Sequence, residues 1–391
     1  MAKRNTSSTS RRIIVHVTTG LGTGGAEEIL SRLVKGMSGN AYENVIVSLL
    51  GKGTHGLDLV KMGVVIYPLN LPKQYRRPKD ILLLLNGLWR LVRIIRRYRP
   101  VVLHSWMYPA DLITGLAGKV MGIPVVWGVF SGRTDRHLYN DRTFRLLKLG
   151  GHLAPRLISL AISCSAFGRR THIQLGYPQN RFLYIPTGFP VGKSIPVRCQ
   201  TTSFTSNQTI RVGMLGRITK EKDHRLLLEA IGQLVKMGTA IELVLAGGSG
   251  ISWDNNSLAE LIRANQLTNS TTILGNVPLK STFYDSVDVF CLISKSEGFP
   301  TVVGEAMLNG LPCVASNVGD AGILLGDSRQ LVRVGNQEDI MERILLFLEN
   351  PELRHRLGKN NYSRIVKLFD EQRMLARYEA AYDSLLNLRN E

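Results

Sequence analysis

Acidic residues are scarce in one half of this chain. Residues 1–195 hold 28 Lys and Arg against 8 Asp and Glu, a balance of +20, whereas residues 196–391 hold 21 against 22. An anionic partner is therefore expected for the first half only. Cysteine is rare too. Cys164, Cys199, Cys291 and Cys313 stand at spacings that fit neither a zinc site nor a disulfide framework. Cys291 and Cys313 fall in apolar, strand-like runs, so buried thiols in a reducing cytoplasm are expected. No uninterrupted apolar run reaches the roughly 18 residues that a membrane span needs. The start, Met1 to Arg12, is polar, and the apolar run Ile13 to Val17 is too short for a signal peptide and reads as a first strand. Short-period repeats are also missing.

What is present is alternation. With 391 residues, 44% hydrophobic content and 38 glycines, the chain suits two α/β domains. Strands are expected at Ile13–Thr18, Val45–Leu49, Val64–Tyr67, Val101–His104, Val125–Val129, Ala161–Ser163 and Phe182–Ile185, with helical patterns between them. A second series follows, with strands at Ile210–Leu215, Ile241–Ala246, Thr271–Leu274, Val289–Leu292 and Cys313–Ala315. Such alternation predicts two Rossmann-like, doubly wound domains facing across a cleft. The expected organisation is a polar tail at 1–10, a first domain at 11–190, a Pro/Gly/Ser/Thr-rich linker at 191–208, a second domain at 209–370 and a last helix at 371–391. Ligands of such sheets bind at the carboxyl ends of strands, which makes the cleft the default site.

Three loops at expected strand ends carry chemistry. In Glu297-Gly-Phe-Pro-Thr-Val-Val-Gly-Glu305 two carboxylates lie eight positions apart across the start of a helix, with Thr301 as the expected N-cap. The free amides of that start attract anions, and flanking carboxylates accept sugar or ribose hydroxyls. In Gly216-Arg217-Ile-Thr-Lys-Glu-Lys222 two cations can clamp a diphosphate, although a merely solvated loop would read the same. Gly20-Leu-Gly22-Thr-Gly24-Gly25 fits G-x-G-x-x-G, but the second strand ends Ser48-Leu-Leu-Gly51 without the acid that a nicotinamide cofactor needs. Its glycines permit close approach of phosphate or sugar, and a plain strand-to-helix turn would use them equally. His104, expected at a strand end, could face the cleft and bond a sugar or phosphate. His16 reads as core, and His55, His137, His152 and His172 show no partnered spacing.

Lys73 to Arg99 holds nine cations against the single acid Asp80. Its helix is amphipathic, with Lys79, Asn86, Arg90, Arg93 and Arg97 on one side. Arg93 and Arg97 repel at i,i+4 unless an anion lies nearby. Anionic lipid would supply it, at about 1 kcal/mol per cation near the surface. Lys73, Arg76, Arg77, Arg90, Arg93 and Arg97 are therefore expected at a membrane surface, while the apolar face packs on the sheet. Nucleic acid is the rival partner, but the interleaved aromatics or recognition motif that go with it are not found.

Over nearly its whole length the chain resembles the retaining glycosyltransferases of family 4 (group 1), of GT-B architecture. The marks are Gly24-Gly25-Ala-Glu27, His104-Ser105-Trp106, Gly216-Arg217 with Lys222, Ala246-Gly247-Gly248-Ser-Gly250, and the E-x7-E pair Glu297 and Glu305 followed by Gly310-Leu-Pro-Cys-Val-Ala315. The resemblance implies that Arg217 and Lys222 bind the donor diphosphate and that Glu297 contacts the donor sugar, with Gly298 and Phe299 nearby. It implies phosphate on the amides of Thr301 and Val302, ribose hydroxyls on Glu305, Gly24 and Gly25 bordering the diphosphate, and His104 beside the transferred sugar. His104, Glu297, Arg217 and Lys222 are the expected catalytic set. The resemblance further implies no divalent metal, retention by same-face attack assisted by the leaving phosphate, and a C-terminal helix Glu371–Leu388 crossing back to the first domain. Two departures fall on acceptor-side or interdomain contacts: Thr187-Gly-Phe-Pro190 stands where Asn-Gly-x-Asp is common, and Ala166 where Glu is usual.

The expected function is a bacterial, metal-independent hexosyltransferase with no cofactor beyond its nucleotide-sugar co-substrate, a UDP- or GDP-sugar. It would act on a lipid-linked glycan in lipopolysaccharide or exopolysaccharide synthesis, peripherally on the inner face of the cytoplasmic membrane. An epimerase or phosphorylase of the same architecture, a glycan hydrolase using Glu297 and Glu305, and a basic nucleic-acid binder are the alternatives.

Overall fold

The apolar strand runs and their helices assemble into two parallel sheets. The computed structural model describes residues 12–22, 24–37, 42–72, 78–132, 141–192, 196–199, 209–248, 250–277 and 280–390. It divides into two compact units, one of residues 1–130, 134–186 and 374–391, the other of residues 131–133 and 187–373.

The first unit contains β1 (Arg12–Thr18), α1 (Gly25–Met37), β2 (Tyr42–Ser48), α2 (Gly53–Lys61), β3 (Val65–Pro68), α3 (Pro78–Tyr98), β4 (Val102–Trp106), α4 (Tyr108–Met121), β5 (Val125–Val129), α5 (Asp141–Leu157), β6 (Leu160–Ser163), α6 (Ala166–Gln174) and β7 (Phe182–Tyr184). Its sheet runs β3-β2-β1-β4-β5-β6-β7, every pair parallel. The order reverses between β1 and β4, which makes their carboxyl ends a topological switch point. Both faces are covered, so β4 and β5 are buried along their length and β1 from Ile14 on. Leu91, Ile94 and Ile95 of α3, Ala110 of α4 and Ala154 of α5 enter one core cluster with Val15, Leu103 and Trp127, so these three helices cover the same face.

The second unit contains β8 (Ile210–Leu215), α7 (His224–Lys236), β9 (Ile241–Ala246), α8 (Asn256–Ala264), β10 (Thr271–Gly275), α9 (Lys280–Asp285), β11 (Val289–Leu292), α10 (Thr301–Leu308), β12 (Cys313–Ser316), α11 (Ala321–Leu325), β13 (Leu331–Val332), α12 (Gln337–Glu349) and α13 (Pro351–Leu368). Its sheet runs β10-β9-β8-β11-β12-β13, again parallel, with the switch point between β8 and β11. The last helix, α14 (Glu371–Asn390), packs with the first unit from residue 374 on. All four cysteines are buried and unbridged.

Two local expectations need correction. Thr301 is not an N-cap: α10 starts at Thr301, after Pro300, and has no side-chain cap. His104 does not end its strand. β4 continues through Trp106, because its register with β1 and β5 extends two residues beyond His104.

Candidate donor site and the switch point of the first unit

In the second unit, the turns after β8 and β11 bring the predicted charges together. The chain leaves β8 at Gly216, and Gly247, at φ +147, packs so closely that a Cβ there would overlap the Gly216 carbonyl. Arg217 is exposed, with its stem lying over Gly248. Asp223 then adopts the left-handed region (φ 48) to start α7, a conformation that Asp tolerates better than most residues. Lys295 fastens this loop to the one after β11, through its amide to the Glu221 carbonyl at 2.7 Å and its ammonium to Asp223 at 3.0 Å. Lys222 is thereby set against Glu297, with Nζ donating to Oε1 at 2.6 Å.

Glu297 and Gly298 are shaped from behind by Gly319, at φ +55. A Cβ there would overlap both of their carbonyl oxygens, and the Asp320 amide donates to Gly298 O at 2.9 Å. Phe299 is buried between Phe189 and Phe369. It is thus a packing residue that offers its backbone. The start of α10 follows directly, and with no side-chain cap the amides of Thr301 and Val302 lack an intrahelical acceptor.

Glu305 lies one turn into α10 and is 7% exposed. Lys280 Nζ donates to its Oε1 at 2.7 Å, and the Tyr284 hydroxyl, 2.8 Å from Oε2, also lies 3.2 Å from Val302 O. Sequence reasoning missed both partners, although their i,i+4 spacing on an expected helix would have placed them on one side. It also passed over His224, which is buried under Gly216. Burial, then the Lys222 charge, lowers its pKa to about 4, so it is neutral at pH 7.

In the first unit, a Cβ at Gly20, Gly22 or Gly25 would meet nothing, and none of the three has positive φ. Neither packing nor conformation requires glycine there, which leaves open backbone for a ligand to approach. At Gly24 a Cβ would overlap the Glu27 carboxylate.

His104 is 0% exposed. Its Nδ1 lies 2.8 Å from the Tyr382 hydroxyl of α14, and its ring packs on Trp106 and Tyr378. Trp106 donates to His16 Nδ1 at 3.2 Å, and His16 Nε2 meets Asn44 Oδ1 at 2.9 Å. Burial lowers the pKa of His16 to about 4 and that of His104 well below its ordinary value. The expectation of a surface-facing His104 is therefore corrected. The side chain is a neutral core group covered by α14, and as it stands it cannot touch a sugar. On the other face Asp111 is buried, with Oδ1 accepting from Ser105 at 2.6 Å and Oδ2 without a partner. Burial pushes its pKa up to about 7 against the lowering effect of Ser105.

The departures from the family pattern differ in burial, Ala166 being half-buried. Phe189 and Thr187 are 0% and 1% exposed, and Phe189 bridges to Asp370. Pro190 is exposed. Of the basic residues expected at a membrane, Arg93 and Arg97 are exposed, whereas Arg90 turns to donate to the Pro68 and Leu69 carbonyls. Lys73, Arg76 and Arg77 lie outside the described residues.

Two family models match, "Glycosyltransferase Family 4" over residues 23–193 and "Glycosyl transferases group 1" over residues 203–364. The capsular polysaccharide biosynthesis glycosyltransferase CapM of Staphylococcus aureus is 26% identical over 183 residues, 46% of this chain and 47% of that protein. The N,N'-diacetylbacillosaminyl-diphospho-undecaprenol alpha-1,3-N-acetylgalactosaminyltransferase of Campylobacter jejuni is 22% identical over 90% of this chain and 94% of its own length. Among solved structures, Anabaena HepE, in complexes with UDP and with UDP-glucose, superposes with a TM-score of 0.79 at 20% identity, covering 95% of this chain and 99% of that one.

Proposed function

The chain belongs to the group 1 glycosyl transferases and has the GT-B architecture, and from that premise we propose that it moves a sugar, with retention, from a nucleotide diphosphate to a hydroxyl of a lipid-linked glycan in bacterial cell-surface polysaccharide synthesis. The observation that carries the reading is the Lys222–Glu297 pair, 2.6 Å apart, between exposed Arg217 and the uncapped start of α10.

Arg217, Lys222 and the amides of Thr301 and Val302 would take the diphosphate, the arginine by its fork and the lysine as a point charge. A diphosphate drawing on Lys222 would release Glu297 to accept hydroxyls of the donor sugar. Glu305, held in place by Lys280 and Tyr284, would accept the ribose hydroxyls. In the reaction the bond from C1 to the phosphate oxygen breaks, the bond from C1 to the acceptor oxygen forms on the same face, and the departing phosphate takes the acceptor's proton. The cations stabilise the charge that develops on the leaving group. We propose this with no divalent metal, since Arg217 and Lys222 supply positive charge at that place.

UDP is favoured as the donor's nucleotide because HepE is named in complexes with UDP and UDP-glucose. A lipid diphosphate acceptor is favoured by the name of the Campylobacter jejuni relative, and a polysaccharide product by that of CapM. Among the described residues no helix is long and apolar enough to cross a membrane. With a basic first half, a peripheral place on the inner face of the cytoplasmic membrane fits. A thermal-shift series with UDP, GDP and ADP tests the reading, because a ligand that binds the native state raises its apparent stability. One nucleotide is expected to raise the transition in wild type and much less in Lys222→Met. No shift with any of the three rejects the donor assignment.

A further inference from the structure

The sequence pattern assigns the apolar side of α3 to the sheet, and the structure only partly agrees. Leu91, Ile94 and Ile95 are buried, but Leu82, Leu85 and Trp89 are 67%, 56% and 59% exposed. At 3.6 residues per turn these three share one outward stripe with Arg93, Arg96 and Arg97, all exposed. The stripe is graded along the helix, apolar in its first half and cationic in its second. At the junction the Arg93 guanidinium lies 5.3 Å from the Trp89 ring centroid. From Leu82 to Tyr98 the sequence contains no acid.

We infer that this stripe of α3 is a membrane-insertion ridge, in which Leu82, Leu85 and Trp89 enter the acyl boundary of the bilayer while Arg93, Arg96 and Arg97 hold anionic headgroups. The inference rests on the lipid-linked acceptor proposed above and goes beyond it, because surface charge alone would not seat apolar side chains. Single exposed leucines are ordinary, whereas a continuous Leu-Leu-Trp ridge next to three arginines is not. An interfacial helix has this composition, with Trp and Leu on the buried side and cations at headgroup depth. Nucleic acid would satisfy the arginines and leave the ridge without a partner. A second copy laid on the same stripe would set arginine against arginine or cover the apolar half with guanidinium. On the same sheet face, α5 also exposes Arg145, Lys148 and Leu149.

The test uses the full chain with vesicles of phosphatidylcholine, alone or mixed with phosphatidylglycerol, at low and high salt. Wild type is expected to float with the mixed vesicles and to keep a bound fraction at high salt. In a Trp253→Phe background, where Trp106 and Trp127 are buried, Trp89 fluorescence should be quenched by lipids brominated on the acyl chain. Leu82→Ser/Leu85→Ser/Trp89→Ser should lose the salt-resistant fraction and bind about tenfold or more weakly. Arg93→Glu/Arg96→Glu/Arg97→Glu should lose the preference for phosphatidylglycerol. No flotation of wild type, an unquenched Trp89, salt-resistant binding that survives the serine variant, or a wild-type dimer that the serine variant dissociates would each overturn the inference. The nucleotide thermal shift separates the two readings: both variants should keep the wild-type shift, vesicle binding without any shift rejects the donor assignment alone, and a shift without flotation rejects the ridge alone.

Discussion

Glu305 is gripped by Lys280 and Tyr284 before any ligand arrives, and the grip decides what a substitution there does. Lys280 is partly solvated, so it loses little when its partner goes, whereas the Tyr284 hydroxyl is buried and must keep an acceptor. Glu305→Gln retains the shape and removes the charge. It is expected to weaken binding of the preferred nucleotide about tenfold, roughly 1.4 kcal/mol, with only a small change in melting temperature. Titration calorimetry reads the affinity, and undiminished affinity would remove Glu305 from the ribose site. Asp111 gives a second prediction. Its folded pKa of about 7 lies above the ordinary 3.8, so the native chain binds this proton more tightly than the unfolded one between those values. Stability is therefore lost as pH rises from about 4 to about 7, by at most about 4 kcal/mol. His16, His172 and His224, each lowered to about 4, act in the opposite sense over much of the same range. The contribution of Asp111 thus appears in the difference from Asp111→Asn, whose relative melting temperature should rise from about pH 4 to about pH 7 and level off above it. A flat difference would mean that Asp111 titrates normally.

At the scale of elements, strands and helices with a strong apolar period are legible in the sequence, and those without one are not. The strands of both sheets fall within a few residues of expectation, except β13, whose two residues are too few to show a period and which was not expected. α2 and α13 escaped because they bury little: Gly56 and Leu59 in one, and Leu357, Gly358, Asn361 and Ile365 in a largely polar other. The two glutamates and the Arg217–Lys222 loop could be read from spacing because strand-to-helix loops have few residues and one direction. Lys280 and Tyr284 could not, since only the tertiary packing of α9 against α10 brings them to Glu305. Packing of α10 against Phe189 explains Gly304. A methyl there would overlap the ring of Phe189, which is itself fully buried and stacked near Phe299. Gly304→Ala is expected to destabilise the second unit by about 1–3 kcal/mol, the usual cost of forcing volume into a filled core. Phe189→Leu in the same chain should recover part of it. Urea unfolding of the single and double variants gives the coupling, and additive effects would show that the two positions do not touch.

Over the whole molecule, the last helix completes the first sheet. Met374, Leu375, Tyr378, Ala381 and Tyr382 of α14 are buried in the unit that begins at the N-terminus, and the Tyr42 hydroxyl and Arg12 both reach Asp383. That closure could be expected only through family resemblance, because nothing in the composition of a mostly polar helix says which sheet it covers. It also accounts for His104. A histidine near a strand end reads as a surface group until a helix from the far end of the sequence lays two tyrosines over it. Tyr382→Ala removes a buried aromatic side chain and leaves His104 Nδ1 without its hydroxyl, so it is expected to cost about 3–5 kcal/mol. The loss belongs to the first unit, whereas the nucleotide-binding residues Arg217, Lys222, Glu297 and Glu305 belong to the second. Calorimetry should therefore show the transition of the first unit falling in Tyr382→Ala while the nucleotide-dependent shift of the second persists. A single transition that falls as one, with the nucleotide shift lost, would mean that the two units do not unfold independently.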